Sequence, residues 1–150
     1  MMSIETFPAS DQPGFASALP HLVLATDGAH RLTGMRCGSC GMVVEGQRLA
    51  CPACGERQDF ADTALSTSGT IHTCTMIHRS YPGIAVPFFA AVVDLDGGGT
   101  VRGTLDGVDP SSAMPVGLRV KMVFGDCGQI DRQGRALIAY RFIPEGGTAP

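Results

Sequence analysis

The chain has 150 residues, enough for one domain or two small modules with a buried core. Its 20 Gly and 10 Pro make a fifth of it, and charged residues only 17%. That composition argues against long amphipathic helices, coiled coil and a solvated charged tail. The formal net charge is −3. Residues 1–30 carry Glu5, Asp11 and Asp27 with no Lys or Arg, whereas residues 31–60 and 69–143 each sum to +1. Neither half concentrates the positive charge that grips a phosphate backbone.

The first fifteen residues, MMSIETFPASDQPGF, have neither a basic start nor an apolar run of signal-peptide length. The longest apolar stretch, AVPFFAAVV, is too short to span a bilayer as a helix. A cytoplasmic protein with reduced thiols is the expectation.

In chain order, residues 1–30 read as an arm rich in Pro and small residues, holding one short strand in HLVLATD (21–27). Residues 31–60 form a cysteine-rich module. QDFADTAL (58–65) reads as a connecting strand and STSGT as a turn. From there the pattern is β throughout. Candidate strands are TIHTCTMIHR (70–79), PFFAAVVDLD (87–96), TVRGTLDG (100–107), LRVKMVFGD (118–126) and RALIAYRFI (135–143). Glycine- and proline-rich turns separate them, including Gly97-Gly98-Gly99 and CGQIDRQG. Five strands in about 75 residues predict a small barrel of the oligonucleotide/oligosaccharide-binding (OB) type over residues 61–145, with a tail at 146–150. The link between its third and fourth strands holds Pro110 and Pro115, so it has room for no more than a turn of helix.

The cysteine module carries the clearest chemistry. Cys37-x2-Cys40 and Cys51-x2-Cys54 are two knuckles ten residues apart, each followed by Gly (Gly41, Gly55). Two intervening residues let both thiolates of a knuckle point at one ion, and the Gly takes the left-handed conformation the turn needs. Four thiolates in a closed tetrahedron suit one structural Zn²⁺ and leave no position for a catalytic water. A redox dithiol pair and a rubredoxin-type iron site are the alternatives.

Other motifs are weaker. His72, Cys74, Met76 and His78 alternate and would share a strand face if no bulge intervenes, but the two histidines lie about 20 Å apart at strand rise. DLDGGGT (94–100) starts like a calcium loop, then places Gly98 at position five and Leu105 at position twelve. It reads as a hairpin. Cys127 reads as a loop thiol. No nucleophile–base set emerges, so no stand-alone enzyme is expected.

The order of these modules is itself informative. RLTGMRCGSCG leads into a ribbon closing with ACPACG, then STSGT, TIHTCTMIHR, PFFAAVVDLDGGGTVRGTL and VGLRVKMVF. Over roughly residues 30–127 this resembles the zinc-ribbon plus OB-fold family of acyl-CoA-associated proteins catalogued as domain of unknown function thirty-five. The resemblance implies a rubredoxin-like zinc ribbon with Cys37, Cys40, Cys51 and Cys54 as ligands, followed by a five-stranded OB barrel. It also implies a small non-catalytic accessory protein of lipid metabolism. Its partner would be a thiolase or an enoyl-CoA hydratase, with acyl-CoA as a further ligand. Arg36, Arg79 and Arg102 are candidates to meet the phosphates of CoA by charge-assisted bonds. The competing expectation is a single-stranded nucleic-acid-binding module, which OB barrels and zinc ribbons also form. The near-neutral halves and nine aromatic residues weigh against it.

Overall fold

Period-two alternation is cleanest in residues 88–95, where every second side chain is buried. In the computed structural model, which describes residues 14–146, ten strands form and no helix occurs among the described residues. They are β1 (Phe15–Ser17), β2 (Leu22–Val23), β3 (Arg31–Cys37), β4 (Val43–Glu45), β5 (Phe60–Ala64), β6 (Ser68–Ile77), β7 (Phe88–Leu95), β8 (Thr100–Leu105), β9 (Arg119–Ile130) and β10 (Ala136–Pro144). The first part of the expected arm (1–13) and most of the expected tail (147–150) lie outside the described residues.

The chain divides into two compact units. The first takes residues up to Ser66, the Gly97–Gly99 turn and Phe124–Ala139. Within it β3 is the centre, antiparallel to β2, β4 and β5. Thus β5 pairs with the strand that leads into the first cysteine knuckle, with Cys37 opposite Phe60. Leu22, Leu32, Met35, Val44 and Leu65 fill this unit's core. β1 lies parallel to the first residues of β10, Phe15 opposite Ala136.

The second unit takes Thr67–Asp96, Thr100–Val123 and the chain from Tyr140. The barrel order β6-β7-β8-β10-β9 closes through β9–β6, and β8 and β10 run parallel. This is the closed five-stranded, OB-like connectivity. Phe89, Ala91, Val93 and Leu95 of β7 alternate inward, joined by Ile71, Val101, Val120 and Phe142. Gly103 of β8 is small for a reason: a Cβ there would stand 2.9 Å from the Phe142 ring and 3.1 Å from Tyr140. Tyr140 and Phe142 meet edge to face, with ring centroids 5.8 Å apart. The β8–β9 link forms only a turn, in which the Ser112 N–H donates to the Asp109 carbonyl.

Several expectations change. STSGT (66–70), expected as a turn, gives Ser68–Thr70 to the start of β6, where they pair with Arg119–Lys121 of β9. The register of β6 on β7 slips between Ile71 and Thr73, so a bulge at His72 breaks the shared face. His72 meets Asp94, with Nδ1 to Oδ2 at 2.9 Å, whereas Cys74 pairs across to Ala91 and its Sγ lies 3.8 Å from the Met114 sulfur. His78 falls beyond the strand. Cys127, expected in a loop, is exposed on β9, because that strand runs to Ile130 and the turn forms at Asp131–Gly134 instead.

On the barrel, Arg119 donates to both oxygens of Asp96, at 2.8 and 2.7 Å, and to Glu145 at 3.0 Å. The Arg119 hydrogen bonds hold the Asp96 carboxyl below its ordinary range. A carboxyl lowered by folding stabilises the fold above its unfolded value, about 3.9, and that contribution is lost as pH falls through the folded value. Asp96→Asn is therefore expected to be less stable than the parent at pH 6, with the gap closing towards pH 3. Urea titrations across that range check it.

Candidate metal centre

The first knuckle starts where β3 ends. The Cys37 N–H donates to the Met42 carbonyl at 2.8 Å, and the Gly41 N–H returns to the Cys37 carbonyl at 2.9 Å. The second knuckle repeats this geometry without a strand to lean on. There the Cys51 N–H donates to the Glu56 carbonyl at 2.8 Å and the Gly55 N–H to the Cys51 carbonyl at 2.9 Å. Gly41 (φ 78°) and Gly55 (φ 81°) occupy the left-handed region that other residues enter at a cost.

Both turns aim their sulfurs at one point. The Sγ atoms of Cys37, Cys40, Cys51 and Cys54 all lie within 4.8 Å of one another. Two of the pairs join opposite knuckles, Cys37 to Cys54 and Cys40 to Cys51, each at 3.6 Å. A tetrahedron with metal–sulfur bonds of about 2.3 Å has edges of about 3.8 Å, so these residues fit a single tetrahedral ion. Cys37 and Cys51 are buried, while Cys40 and Cys54 face solvent.

Without metal, neighbouring groups move the Cys51 and Cys54 thiols in opposite directions. The Cys54 N–H donates to the Cys51 sulfur and holds that thiol down to about 7. The Glu56 N–H acts the same way on Cys54, but the neighbouring sulfurs, Cys37 foremost, together with burial push Cys54 up to about 12. Loading a metal must therefore expel protons, and affinity falls as pH falls.

Sequence reasoning did not find Ser39 and Glu56. The Glu56 carboxylate accepts from the backbone N–H groups of Arg57 (2.7 Å) and Gln58 (2.9 Å) and from the Ser39 hydroxyl (2.8 Å). The Gln58 N–H is the largest cause holding Glu56 down to about 2, ahead of Ser39. The available signal was a hydroxyl inside the first knuckle and a carboxylate directly after Gly55.

The three arginines fall in different settings. Arg36, on β3, donates to the Gly41 carbonyl at 3.3 Å. Arg102, on β8, borders an open groove of about 530 Å³ lined by Thr73, Thr75, Ala90, Val92 and Thr104. Arg79 is exposed beyond the end of β6. Ile77 pairs with Phe88 and Arg102 with Val92, so about 13 Å of strand separates Arg102 from the end of β6. No helix among the described residues is long and apolar enough to cross a membrane.

Comparison with known proteins agrees with this architecture. The family model described as ChsH2, C-terminal OB-fold domain, matches residues 62–125. A DUF35 domain-containing scaffold protein of Pyrococcus furiosus is 30% identical over 117 residues, covering 77% of this chain and 84% of that protein. A protein of the same description from Methanocaldococcus jannaschii is 27% identical over 115 residues, covering 75% and 81%. The solved structure described as "Ltp2-ChsH2(DUF35) aldolase" superposes with a TM-score of 0.60 at 23% identity, over 77% of this chain and 85% of that one, and shares the fold. With a closed OB-like barrel, a convergent four-cysteine cluster and relatives matched over most of their length, the chain belongs to the DUF35 family.

Proposed function

We propose that this chain is a non-catalytic accessory subunit that docks onto a thiolase-like or enoyl-CoA hydratase-type enzyme in the cytoplasm and carries one structural Zn²⁺. The observation that carries the reading is the relatives' description as scaffold proteins, matched over most of their length. The solved neighbour's description also pairs a DUF35 protein with Ltp2 in an aldolase. Cys37, Cys40, Cys51 and Cys54 supply four soft ligands and leave no open coordination position, which suits structural zinc. The ribbon takes residues 31–60 and the barrel residues 61–145. Acyl-CoA, where it binds, would find anion partners among Arg36, Arg79 and Arg102, and Arg102 has a groove beside it.

The test is affinity purification of the tagged chain from its native cell, with mass spectrometry and metal analysis. An acyl-CoA enzyme recovered at near-stoichiometric amount, with about one zinc per chain, is expected. Recovery of no such enzyme, together with a salt-sensitive shift of single-stranded oligonucleotides, would instead establish the nucleic-acid reading.

A further inference from the structure

The metal centre is lopsided. Cys37 ends a strand that pairs on both sides, whereas no strand forms between β4 and β5, where Cys51 and Cys54 lie. The second knuckle therefore depends on its own turn, on the metal and on whatever ties it to the first knuckle. Its outer ligand, Cys54, is exposed and lines an open groove of about 490 Å³ with Ser39, Gly55, Glu56, Arg57 and Gln58. A competing ligand can reach Cys54 from that groove. On the opposite side, Cys37 and Cys51 are buried.

Besides the backbone bond from the Gly38 N–H to the Asp59 carbonyl, at 2.8 Å, one bond between a hydroxyl and a carboxylate spans the knuckles at the groove. The Ser39 hydroxyl, inside the first knuckle, donates to Glu56 Oε2 at 2.8 Å. The other oxygen of Glu56 caps the chain just after the second knuckle, and its backbone carbonyl accepts from Cys51. Glu56 is thus joined to the second knuckle through its backbone carbonyl and to the first through its carboxylate, whose other oxygen is held by the next two backbone N–H groups. We infer that Ser39 and Glu56 form a latch over the exposed side of the metal centre, which slows metal release through Cys54. The inference rests on the zinc reading above. The latch residues touch no metal; they hold the two knuckles at the separation that keeps Cys54 on the ion. Opening it lets the second knuckle swing out, exposing the ion first on the Cys54 and Cys40 side.

The test is zinc transfer from the purified, zinc-loaded full chain to the chromophoric chelator 4-(2-pyridylazo)resorcinol, followed by stopped flow. Loss of one charge-assisted hydrogen bond predicts transfer about tenfold faster for Ser39→Ala. Ser39→Thr, which keeps the hydroxyl, should restore the parent rate. Because both residues act through one bond, Ser39→Ala combined with Glu56→Ala should be no faster than Glu56→Ala alone. A Ser39→Ala rate within twofold of the parent overturns the latch even where zinc is bound. A parent chain that holds no zinc overturns the zinc reading itself and the latch with it. Ser39 is an exposed turn residue, so its variant keeps the test decisive if Glu56→Ala does not fold.

Discussion

If the four cysteines hold the proposed structural zinc, Cys51→Ser is expected to unfold the cysteine module and abolish metal retention. Structural zinc contributes about 10–16 kcal/mol to folding in isolated finger peptides, far more than a small module can replace. Here the need is acute because the second knuckle contributes no strand. The apolar side chains near it are few, and Leu49 and Met42 are exposed. Cys51 is 5% exposed, so Ser would also bury a hydroxyl where a thiolate stood. Hydrogen exchange provides the measurement: amides of Thr33–Cys37 and Phe60–Ala64, paired across β3 and β5, should lose protection in the variant. A strong chelator added to the parent should reproduce that loss. Cys54→Ser removes an exposed ligand from the same site and is expected to weaken metal retention less. Equal protection in parent and Cys51→Ser would show that the module folds without metal.

Phe142→Ala is expected to cost the barrel about 3–5 kcal/mol, the usual penalty for emptying a large buried aromatic site. Phe142 is fully buried, packs edge to face on Tyr140 and lies over Gly103. Its carbonyl accepts from the Asp106 N–H at 2.8 Å, where β10 pairs in parallel with β8. The ring thus sits at the parallel β8–β10 pairing, and the neighbours cannot collapse into its space without opening that seam. Tyr140 donates its hydroxyl to the Arg102 carbonyl, which further limits how far it can move to fill the gap. Urea denaturation at constant m-value would read the loss directly. A change below about 1 kcal/mol would mean that the seam repacks.

The local patterns were strong enough to locate most strands. PFFAAVVDLD alternates without a break, and Gly97-Gly98-Gly99 forces the following turn, so β7 and β8 appear within a residue or two of their expected places. β1 was not legible. Phe15-Ala16-Ser17 is three residues long and is a strand because it pairs in parallel with Ala136–Ile138, more than a hundred residues away. The bulge at His72 was equally silent. It is decided by how β6 must shift against β7, and no residue in IHTCT announces it.

The metal centre divides the same way. Two C-x-x-C knuckles, each with its Gly, were readable because the turn that aims two sulfurs is encoded within five residues. That local economy also made the expectation of two small β modules possible. The mutual reach of the four sulfurs, the contrast of buried Cys37 and Cys51 with exposed Cys40 and Cys54, and the Ser39–Glu56 bond belong to tertiary structure. The knuckles, the turns and the alternating strands are encoded locally, since each depends on neighbours a few residues apart. Which strands pair to close the barrel, the His72 bulge and the Ser39–Glu56 bond follow from tertiary structure, because each joins segments whose proximity no local pattern encodes.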